Sequence, residues 1–594
     1  MALAVALASS CADDSPRSAA PRDTVEVARR VGSSPVESTS PVETSAGSGD
    51  PAGPEATTPT ETTGGSSDIG PVGRSAGSTP APMTVTVDLD PDATWADGSP
   101  ITVADVACTW RATLGPRSAL AGAGYQHVRS VEPGTSERQV VIAFDQPYAA
   151  FRTLFTRLIQ ASSVPDCSDV STEFETTAPM SGGPWRVESF DAEQLVLVPN
   201  EEHWATVPPS GRQVVATPEA GPIALRAGTV DVIKPLFDDS LLPAVEDPAD
   251  PAITWEGRPG RHVEGLFFQQ LDGPLADPVF RKALAMSIER DALIQQLYGP
   301  TAASLGVTAA PVECGPWPPD GTCPDAAAAS YDPFGAAAML TAAGWARGSD
   351  GMWAKDGQPA PTVRWMVDEG NPRRELAQQL VVPALAQLGF NVVADNDPAD
   401  VVFAQRLPTL DYDMTMYIVD PPADPQWLTS RFACDAIPTA ENAFAGQNVV
   451  GWCNQAATDA LHAADVTVDP AERRALVRAA LAAMRDDSAV LPLAQLPDVV
   501  AWRADRVGGP IGDVSGPTPF AAVGTWSDLD GDDRVVIGAD EWMACLNPVT
   551  DCATTPWYQW LIGDLTLPGL WRPNADGDHV PTELVVGEPT VALA

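Results

Sequence analysis

The stretch Thr84–Trp110, with the sequence TVTVDLDPDATWADGSPITVADVACTW, decides the fold because it carries signals for a strand, a turn and a helix in one run. Val85, Val87 and Leu89 alternate with polar residues, and this period of two predicts a half-buried β-strand. The Asp-Gly dipeptide at 97–98 predicts a tight turn after that strand.

A capped helix is predicted to follow the turn. Thr102 and Asp105 have the three-residue spacing of a capping box, in which each side chain accepts a hydrogen bond from a backbone amide at the other position. The helix then carries Val106 and Trp110. This WxDGxP turn and TxxDV helix start resemble the signature of the extracellular solute-binding proteins of peptide-type ABC importers, family 5 (the oligopeptide- and dipeptide-binding type).

Later segments resemble the same family in the same order. Pro179–Trp204, PMSGGPWRVESFDAEQLVLVPNEEHW, is similar to the family's SGxGPY…LxxNPxYW hairpin, with Trp185 in place of the tyrosine. Ile223–Ile233, IALRAGTVDVI, is similar to its ALxxGxVDxI helix and strand. Val279–Tyr298, VFRKALAMSIERDALIQQLY, resembles its VRxAxxxAIDRxxI segment and predicts one long amphipathic helix. The resemblance implies an α/β protein with the two-lobe type II periplasmic-binding-protein fold, in which mixed sheets carry flanking helices.

Two shorter segments lie between the opening stretch and these motifs. Gln139–Phe144 alternates and predicts a strand. The spacing of apolar residues in Ala149–Ile159 predicts a helix. Both are expected to belong to the first lobe.

The composition predicts a large globular body with an acidic surface. The chain has 594 residues, of which 44% are hydrophobic. Its 35 Lys and Arg face 79 Asp and Glu, for a net charge of −44, which argues against binding of nucleic acid or of an anionic membrane surface.

The N-terminal region has the features of an exported protein. Residues 1–11, MALAVALASSC, resemble a truncated lipoprotein signal that ends in a lipidated Cys11, with an ordinary signal peptide as the alternative. Residues 12–82 are rich in Ser, Thr, Pro and Gly without apolar periodicity, which predicts a disordered tether. We therefore expect a protein on the extracellular face of the cell membrane, lipid-anchored or secreted.

The other eight cysteines also fit export, since disulfides form in oxidising compartments. Their connectivity cannot be deduced from the sequence, and pairing of neighbours is the simplest hypothesis. The predicted pairs are Cys108–Cys167, Cys314–Cys323, Cys434–Cys453 and Cys545–Cys552. The histidines are scattered and no CxxC motif occurs, so we expect neither a metal site nor a cofactor.

The resemblance predicts lobe I over 83–260, lobe II over 261–497, a return to lobe I over 498–527, an acidic linker at 528–533 and a further lobe I segment over 534–594. That last segment, with its VVIG strand, LNP turn and DGDHVPTEL run, resembles the family's native N-terminus. We infer a circular permutation, with an unrelated C-terminal extension as the alternative. The permutation requires strand 584–593 to lie beside strand 84–90.

The linker, DLDGDD, resembles the start of a calcium loop, but the loop lacks its glycine and its bidentate glutamate.

The resemblance also implies a capture site after a strand at 413–419. In the family, an aspartate in a GWxxDYxDP pattern pairs with the α-amine of a peptide. The sequence here is YIVDPPADP, so either Asp420 or Asp424 corresponds, and solvated acids in a proline-rich turn are the alternative. Trp427 and Trp452 are expected either to line the cleft or to pack in the core.

The motifs predict binding without catalysis. The sequence contains no GxSxG, no HExxH and no phosphate-binding glycine loop, so we predict that the protein is not an enzyme. The resemblance implies the solute-binding component of an ABC importer, a monomer that encloses a peptide or similar polar solute between its lobes and delivers it to the permease. The alternative is a cell-surface interaction protein that uses this fold without transport.

Overall fold

The computed structural model describes residues 82–594, apart from 121–123, 176, 210, 220, 236–251, 305–306, 308–330, 420, 423, 443, 445, 515–517 and 575–577. Residues 77–594 belong to one compact unit.

The strands are β1 Met83–Asp88, β2 Val128–Pro133, β3 Gln139–Phe144, β4 Trp185–Phe190, β5 Leu195–Pro199, β6 Gln213–Thr217, β7 Val232–Ile233, β8 Ile253–Phe268, β9 Trp345–Arg347, β10 Trp353–Lys355, β11 Gln358–Pro359, β12 Val363–Met366, β13 Val392–Ala394, β14 Met414–Val419, β15 Val490–Arg503, β16 Val507–Gly508, β17 Ser527–Asp528, β18 Arg534–Gly538, β19 Trp571–Pro573, β20 His579–Pro581 and β21 Thr590–Leu593.

The helices are α1 Val103–Thr113, α2 Pro222–Ala227, α3 Pro278–Met286, α4 Arg290–Ser304, α5 Pro333–Ala342, α6 Pro372–Gln387, α7 Ala399–Val401, α8 Trp427–Phe432, α9 Gln455–Val466, α10 Pro470–Asp486, α11 Pro556–Tyr558 and α12 Asp564–Thr566. A π-helical turn, Gln559–Gly563, joins α11 to α12.

Two long antiparallel strands connect the lobes. The larger sheet has the order β13-β12-β14-β8-β15-β7-β18-β6-β5-β4, and β8 and β15 pair along nearly their whole length at its centre. β14 flanks this pair in lobe II and β7 flanks it in lobe I. The ladder between β8 and β15 is irregular at residues 492–497. The connection between the lobes therefore contains a local break in regular pairing, where a hinge can form.

The opening stretch of the sequence forms as predicted. Val85 and Val87 in β1 are fully buried. Gly98 takes the turn with a φ of 78°. Both hydrogen bonds of the capping box are present: the Thr102 side chain accepts one, and the Asp105 carboxylate accepts another from the Thr102 amide at 2.8 Å. Because all of these interactions are local, the sequence alone could specify them.

The C-terminal segment pairs with strands from distant parts of the chain. β21 pairs antiparallel with β1, from Met83 opposite Leu593 to Thr86 opposite Thr590, in a sheet of order β2-β3-β1-β21. β18 inserts between β6 and β7 and runs parallel to both. Trp571 from this segment packs into the core beneath β1. The adjacency that the permutation requires is therefore present.

The helix predicted over Ala149–Ile159 is wrong. Only a 3₁₀ turn, Phe151–Thr153, forms there, and Phe155 has a φ of 60°. The Leu158 amide donates to the Pro568 carbonyl at 2.7 Å, and the Leu570 amide donates to the Phe155 carbonyl at 2.8 Å. Hydrogen bonds to the C-terminal segment therefore replace those of a helix.

The single helix predicted over Val279–Tyr298 is also wrong, since α3 and α4 are separate helices. The Ser287 hydroxyl donates to the Ala283 carbonyl at 2.8 Å at the end of α3. Arg290 begins α4, and its side chain donates to the Pro492 carbonyl in β15 at 2.9 Å. The first residue of the second helix is therefore attached to β15.

Candidate functional site

A cavity of about 530 Å³ lies between the lobes, beside the middle of β8 and β15. His262 and Asp498 line it from these two strands, and Pro422 lines it from the segment after β14. Trp560 and Trp571 line it from the C-terminal segment. The volume is within the range of about 300–1,000 Å³ that is usual for small-molecule sites.

The C-terminal segment builds one wall of the cavity. The Trp557 indole donates to the Asp540 carboxylate at 2.6 Å, and the Tyr558 hydroxyl donates to the Leu546 carbonyl at 3.0 Å. These bonds fix α11 against the preceding part of the same C-terminal segment. As a result, Trp560 and Asp564 face the cavity.

Lys234 and Asp498 form a buried ion pair where the cavity meets the hinge. The Lys234 ammonium lies 3.2 Å from the Asp498 carboxylate and 5.1 Å from the centre of the Trp560 ring. His262 Nδ1 lies 3.8 Å from the same carboxylate. Two charged groups of the cavity wall are thus already engaged with each other.

Arg157 and Asp564 are a second pair of opposite charges, but they are held apart. Arg157 Nη2 lies 3.9 Å from Asp564 Oδ1, which is too long for a hydrogen bond. Burial raises the pKa of Asp564 to about 6, although the nearby charges of Arg157 and Arg572 lower it. The Asp564 carboxylate is therefore costly to ionise unless another partner reaches it.

Two glycines allow the close packing of this wall. A Cβ atom at Gly563 would lie 2.1 Å from Arg157 Nε, and one at Gly183 would lie 2.6 Å from the Leu565 carbonyl oxygen. Gly183 belongs to the SGGP run of the family-like hairpin. Its role is to bring that hairpin against the C-terminal segment.

Three of the five histidines line the cavity: His203, His262 and His579. The His203 Nδ1–H donates to the Thr206 carbonyl at 3.0 Å, and burial lowers the pKa of this histidine. Their positions along the chain do not reveal this grouping. In the described part of the chain, the group with metal-ligand spacing is instead Asp528, Asp530 and Asp532 in the acidic linker.

A hydrogen bond across the cleft links the lobes outside the cavity. The Tyr148 hydroxyl, in lobe I, donates to Gln426 Oε1, in lobe II, at 2.6 Å. The Ala149 amide donates to the Asp465 carbonyl oxygen at 2.8 Å. Burial raises the pKa of the Asp465 carboxyl to about 6, with Thr429 and Arg473 acting in the opposite direction. These contacts hold the lobes together in this conformation.

The profile of the family described as bacterial extracellular solute-binding proteins, family 5 middle, matches residues 76–437, which is more than half of the chain. The chain belongs to this family. The C-terminal segment, residues 534–594, lies outside the matched range. In the part of this solute-binding protein that the structure describes, no helix has the length and hydrophobicity needed to cross a bilayer.

Comparisons with individual proteins agree with the family. Oligopeptide-binding protein OppA of Mycobacterium tuberculosis is 26% identical over 440 residues, which cover 71% of each chain. NikZ from Campylobacter jejuni, solved with Ni(L-His), has a TM-score of 0.61 at 20% identity and covers 76% of this chain and 89% of its own. AppA from Bacillus subtilis, solved with a nonapeptide, has a TM-score of 0.55 at 16% identity, covering 75% and 87%. The expected two-lobe type II periplasmic-binding-protein fold is confirmed.

Of the ligand-binding residues predicted for this family 5 protein, Asp424, Trp427 and Trp452 are not among those that line the cavity. Asp424 is held by Arg473 through hydrogen bonds of 2.8 and 2.7 Å to its two oxygens, and Asp420 lies outside the described residues. Trp427 packs against the Phe432 ring at 6.2 Å, outside the residues that line the cavity. A ligand contact by Asp420 or Asp424 stays a prediction.

Trp452 has a structural partner as well. It is 3% exposed, and its indole donates to Asp487 at 3.0 Å. Its predicted contact with a ligand likewise stays a prediction.

Three of the four predicted disulfides are present: Cys108–Cys167, Cys434–Cys453 and Cys545–Cys552. The fourth predicted pair, Cys314–Cys323, and the predicted lipidation site Cys11 lie outside the described residues. The Cys545–Cys552 bridge closes a loop just before α11. It therefore supports the wall that carries Trp560 and Asp564.

Proposed function

We propose that this protein captures a peptide or similar polar solute in the cavity between its lobes and delivers it to an ABC permease in the membrane. The observation that carries this proposal is the cavity itself, which is lined mainly by residues predicted to belong to lobe I, with His262 and Pro422 contributed from the predicted lobe II. Trp560 and Trp571 offer broad aromatic surfaces, while Arg157, His262 and Asp564 offer polar groups. The relatives named for oligopeptide binding support the peptide class.

Closure of the lobes would couple binding to delivery. β8 and β15 are the connection about which the lobes would rotate, and their irregular pairing at 492–497 is the point of least regular structure. A solute that contacts both lobes would stabilise the closed form, in addition to the hydrogen bond between Tyr148 and Gln426. The closed form is then the state that the permease would recognise.

Further properties belong to the same proposal. The protein would bind its solute without chemical turnover and act as a monomer. It would work on the extracellular face of the membrane, anchored through Cys11 or secreted. Family membership supports the extracellular location, and mass spectrometry of the mature N-terminus would test the anchor.

The first experiment identifies the solute that co-purifies with the full chain by mass spectrometry and measures its affinity by calorimetry. Trp560→Ala is expected to weaken binding by about tenfold or more, because the aromatic wall is lost. Trp427→Ala, a tryptophan change outside the cavity lining, is expected to change it by less than about twofold.

The opposite ranking would move the site to the 420–427 segment. Absence of any bound solute would favour a cell-surface interaction protein, and conversion of the solute would contradict binding without turnover.

We also propose that 534–594 is the family's N-terminal segment, moved by circular permutation. Three observations support this. β18 lies between β6 and β7 while β21 pairs with β1 at the edge of its sheet, the family match ends at residue 437, and the acidic linker joins β17 directly to β18. Termini that lie close together in the ancestral domain would make the rearrangement tolerable.

A further inference from the structure

The side chains of Arg157 and Asp564 have no hydrogen-bond partner in the described part of the chain, although both are mostly buried. Their side chains are 18% and 19% exposed, and their closest approach is 3.9 Å. The Nε atom of Arg157 is enclosed and unpaired. Each group has lost hydration that a contact at this distance does not replace. The pair is therefore built to receive polar groups from the cavity.

The neighbouring charges of the cavity do not share this property. Lys234 is paired with Asp498 at 3.2 Å, and Arg572 is paired with Glu583 at 3.3 Å. Arg157 is thus an uncommitted cation of the cavity wall, and Asp564 is an uncommitted anion beside it.

We propose that Arg157 and Asp564 bind an α-amino-acid end of the solute, Arg157 receiving its carboxylate and Asp564 its ammonium. This inference rests on the proposed function and names the chemistry of that cavity. An α-amino acid carries an ammonium and a carboxylate on one carbon. Its carboxylate can therefore lie beside Arg157 while its ammonium lies beside Asp564. A lone carboxylate would face repulsion from Asp564, and a lone ammonium would leave Arg157 unpaired.

The position of the Arg157 guanidinium depends on Gly563. A Cβ atom there would lie 2.1 Å from Arg157 Nε and would push the side chain away from Asp564. Gly221 is a suitable control, because a Cβ atom at that position has its nearest neighbour at 4.0 Å. Alanine at 563 therefore displaces the cation without removing it.

The test uses calorimetry on the full chain with two isomeric probes, γ-glutamylglycine and α-glutamylglycine. They have the same charges, but only the γ isomer keeps an ammonium and a carboxylate on one carbon. The wild type is expected to bind the γ isomer about tenfold or more tightly. Arg157→Met and Gly563→Ala are expected to abolish this preference, and Gly221→Ala to retain it. Thermal unfolding midpoints verify that each variant is folded.

Equal affinity for the isomers, or a preference that survives Arg157→Met, would overturn the inference. So would a co-purified solute that binds tightly but lacks an α-amino-acid end, and in that case the transport function would stand. If neither the probes nor any co-purified solute binds, the proposed function fails together with the inference.

Discussion

The Asp564 carboxylate is expected to lower the stability of the unliganded protein at neutral pH. Burial raises its pKa from 3.8 to about 6. A shift of about two units corresponds to about 3 kcal/mol, at about 1.4 kcal/mol per unit. Asp564→Asn removes the charge at nearly constant shape. We expect the variant to have a free energy of unfolding higher by up to about 3 kcal/mol at pH 8.

The sign of the pH dependence follows from the direction of the shift. Below about pH 3 the carboxyl is protonated in the folded and unfolded states, so the variant and wild type are expected to be equally stable. As pH rises from about 4 to about 6, the unfolded chain ionises first and the wild type loses stability relative to the variant. Above about pH 6 to 7 the difference is constant. Urea unfolding followed by tryptophan fluorescence at about pH 2.5 to 8 measures this difference.

Asp368→Asn provides a control of opposite sign. Burial alone would raise the pKa of Asp368, but the hydrogen bond and charge of Arg374 outweigh it, and the pKa is lowered. This variant is expected to be less stable than wild type at pH 7, with a difference that shrinks as pH falls below about 4. A pH-independent effect of Asp564→Asn, or a loss of stability at pH 8, would refute the assignment of Asp564 as a buried, unpaired acid.

Three further results are expected. The double variant Cys108→Ala/Cys167→Ala removes a disulfide between residues with a sequence separation of 59. Its free energy of unfolding, measured by denaturant titration, should be lower by about 4 kcal/mol. A decrease of less than about 1 kcal/mol would contradict this expectation. Tyr148→Phe removes the hydroxyl that donates to Gln426, so the closed form loses one hydrogen bond. Solute affinity measured by calorimetry should fall about twofold to tenfold. Unchanged affinity would show that this hydrogen bond does not stabilise the closed form. A chain in which 534–594 is moved to directly precede β1 should keep its thermal midpoint and affinity, whereas misfolding would count against the permutation.

Local signals could be predicted well from the sequence. The strand, turn and capping box between Thr84 and Trp110 depend on side chains a few residues apart, and the structure contains all three. The pairing of neighbouring cysteines was the simplest of many possible connectivities, and the three pairs in the described residues are present. Family-like motifs in order then implied the two lobes.

The candidate site could not be predicted in the same way. Asp424 was selected from a motif, but its carboxylate is already bound by Arg473. Arg157 lies in a segment predicted to be a helix, and Asp564 lies in the C-terminal segment, whose motifs predicted only its place in the permuted chain. No pattern along the chain joins these two residues, because their approach depends on Gly563 and on the packing of the C-terminal segment.

The sequence by itself therefore determined the secondary structure of the opening stretch and the family, since short-range hydrogen bonds and spacing act within one segment. The family-like motifs of the C-terminal segment also predicted that it lies beside β1, as the structure shows. Only the tertiary structure decided what faces the cavity, and there the amide of Leu158 bonds to Pro568 rather than within a helix. Hydrogen bonds between distant segments depend on which backbone groups lie next to each other once the core has packed. The sequence of one segment does not specify its distant partners.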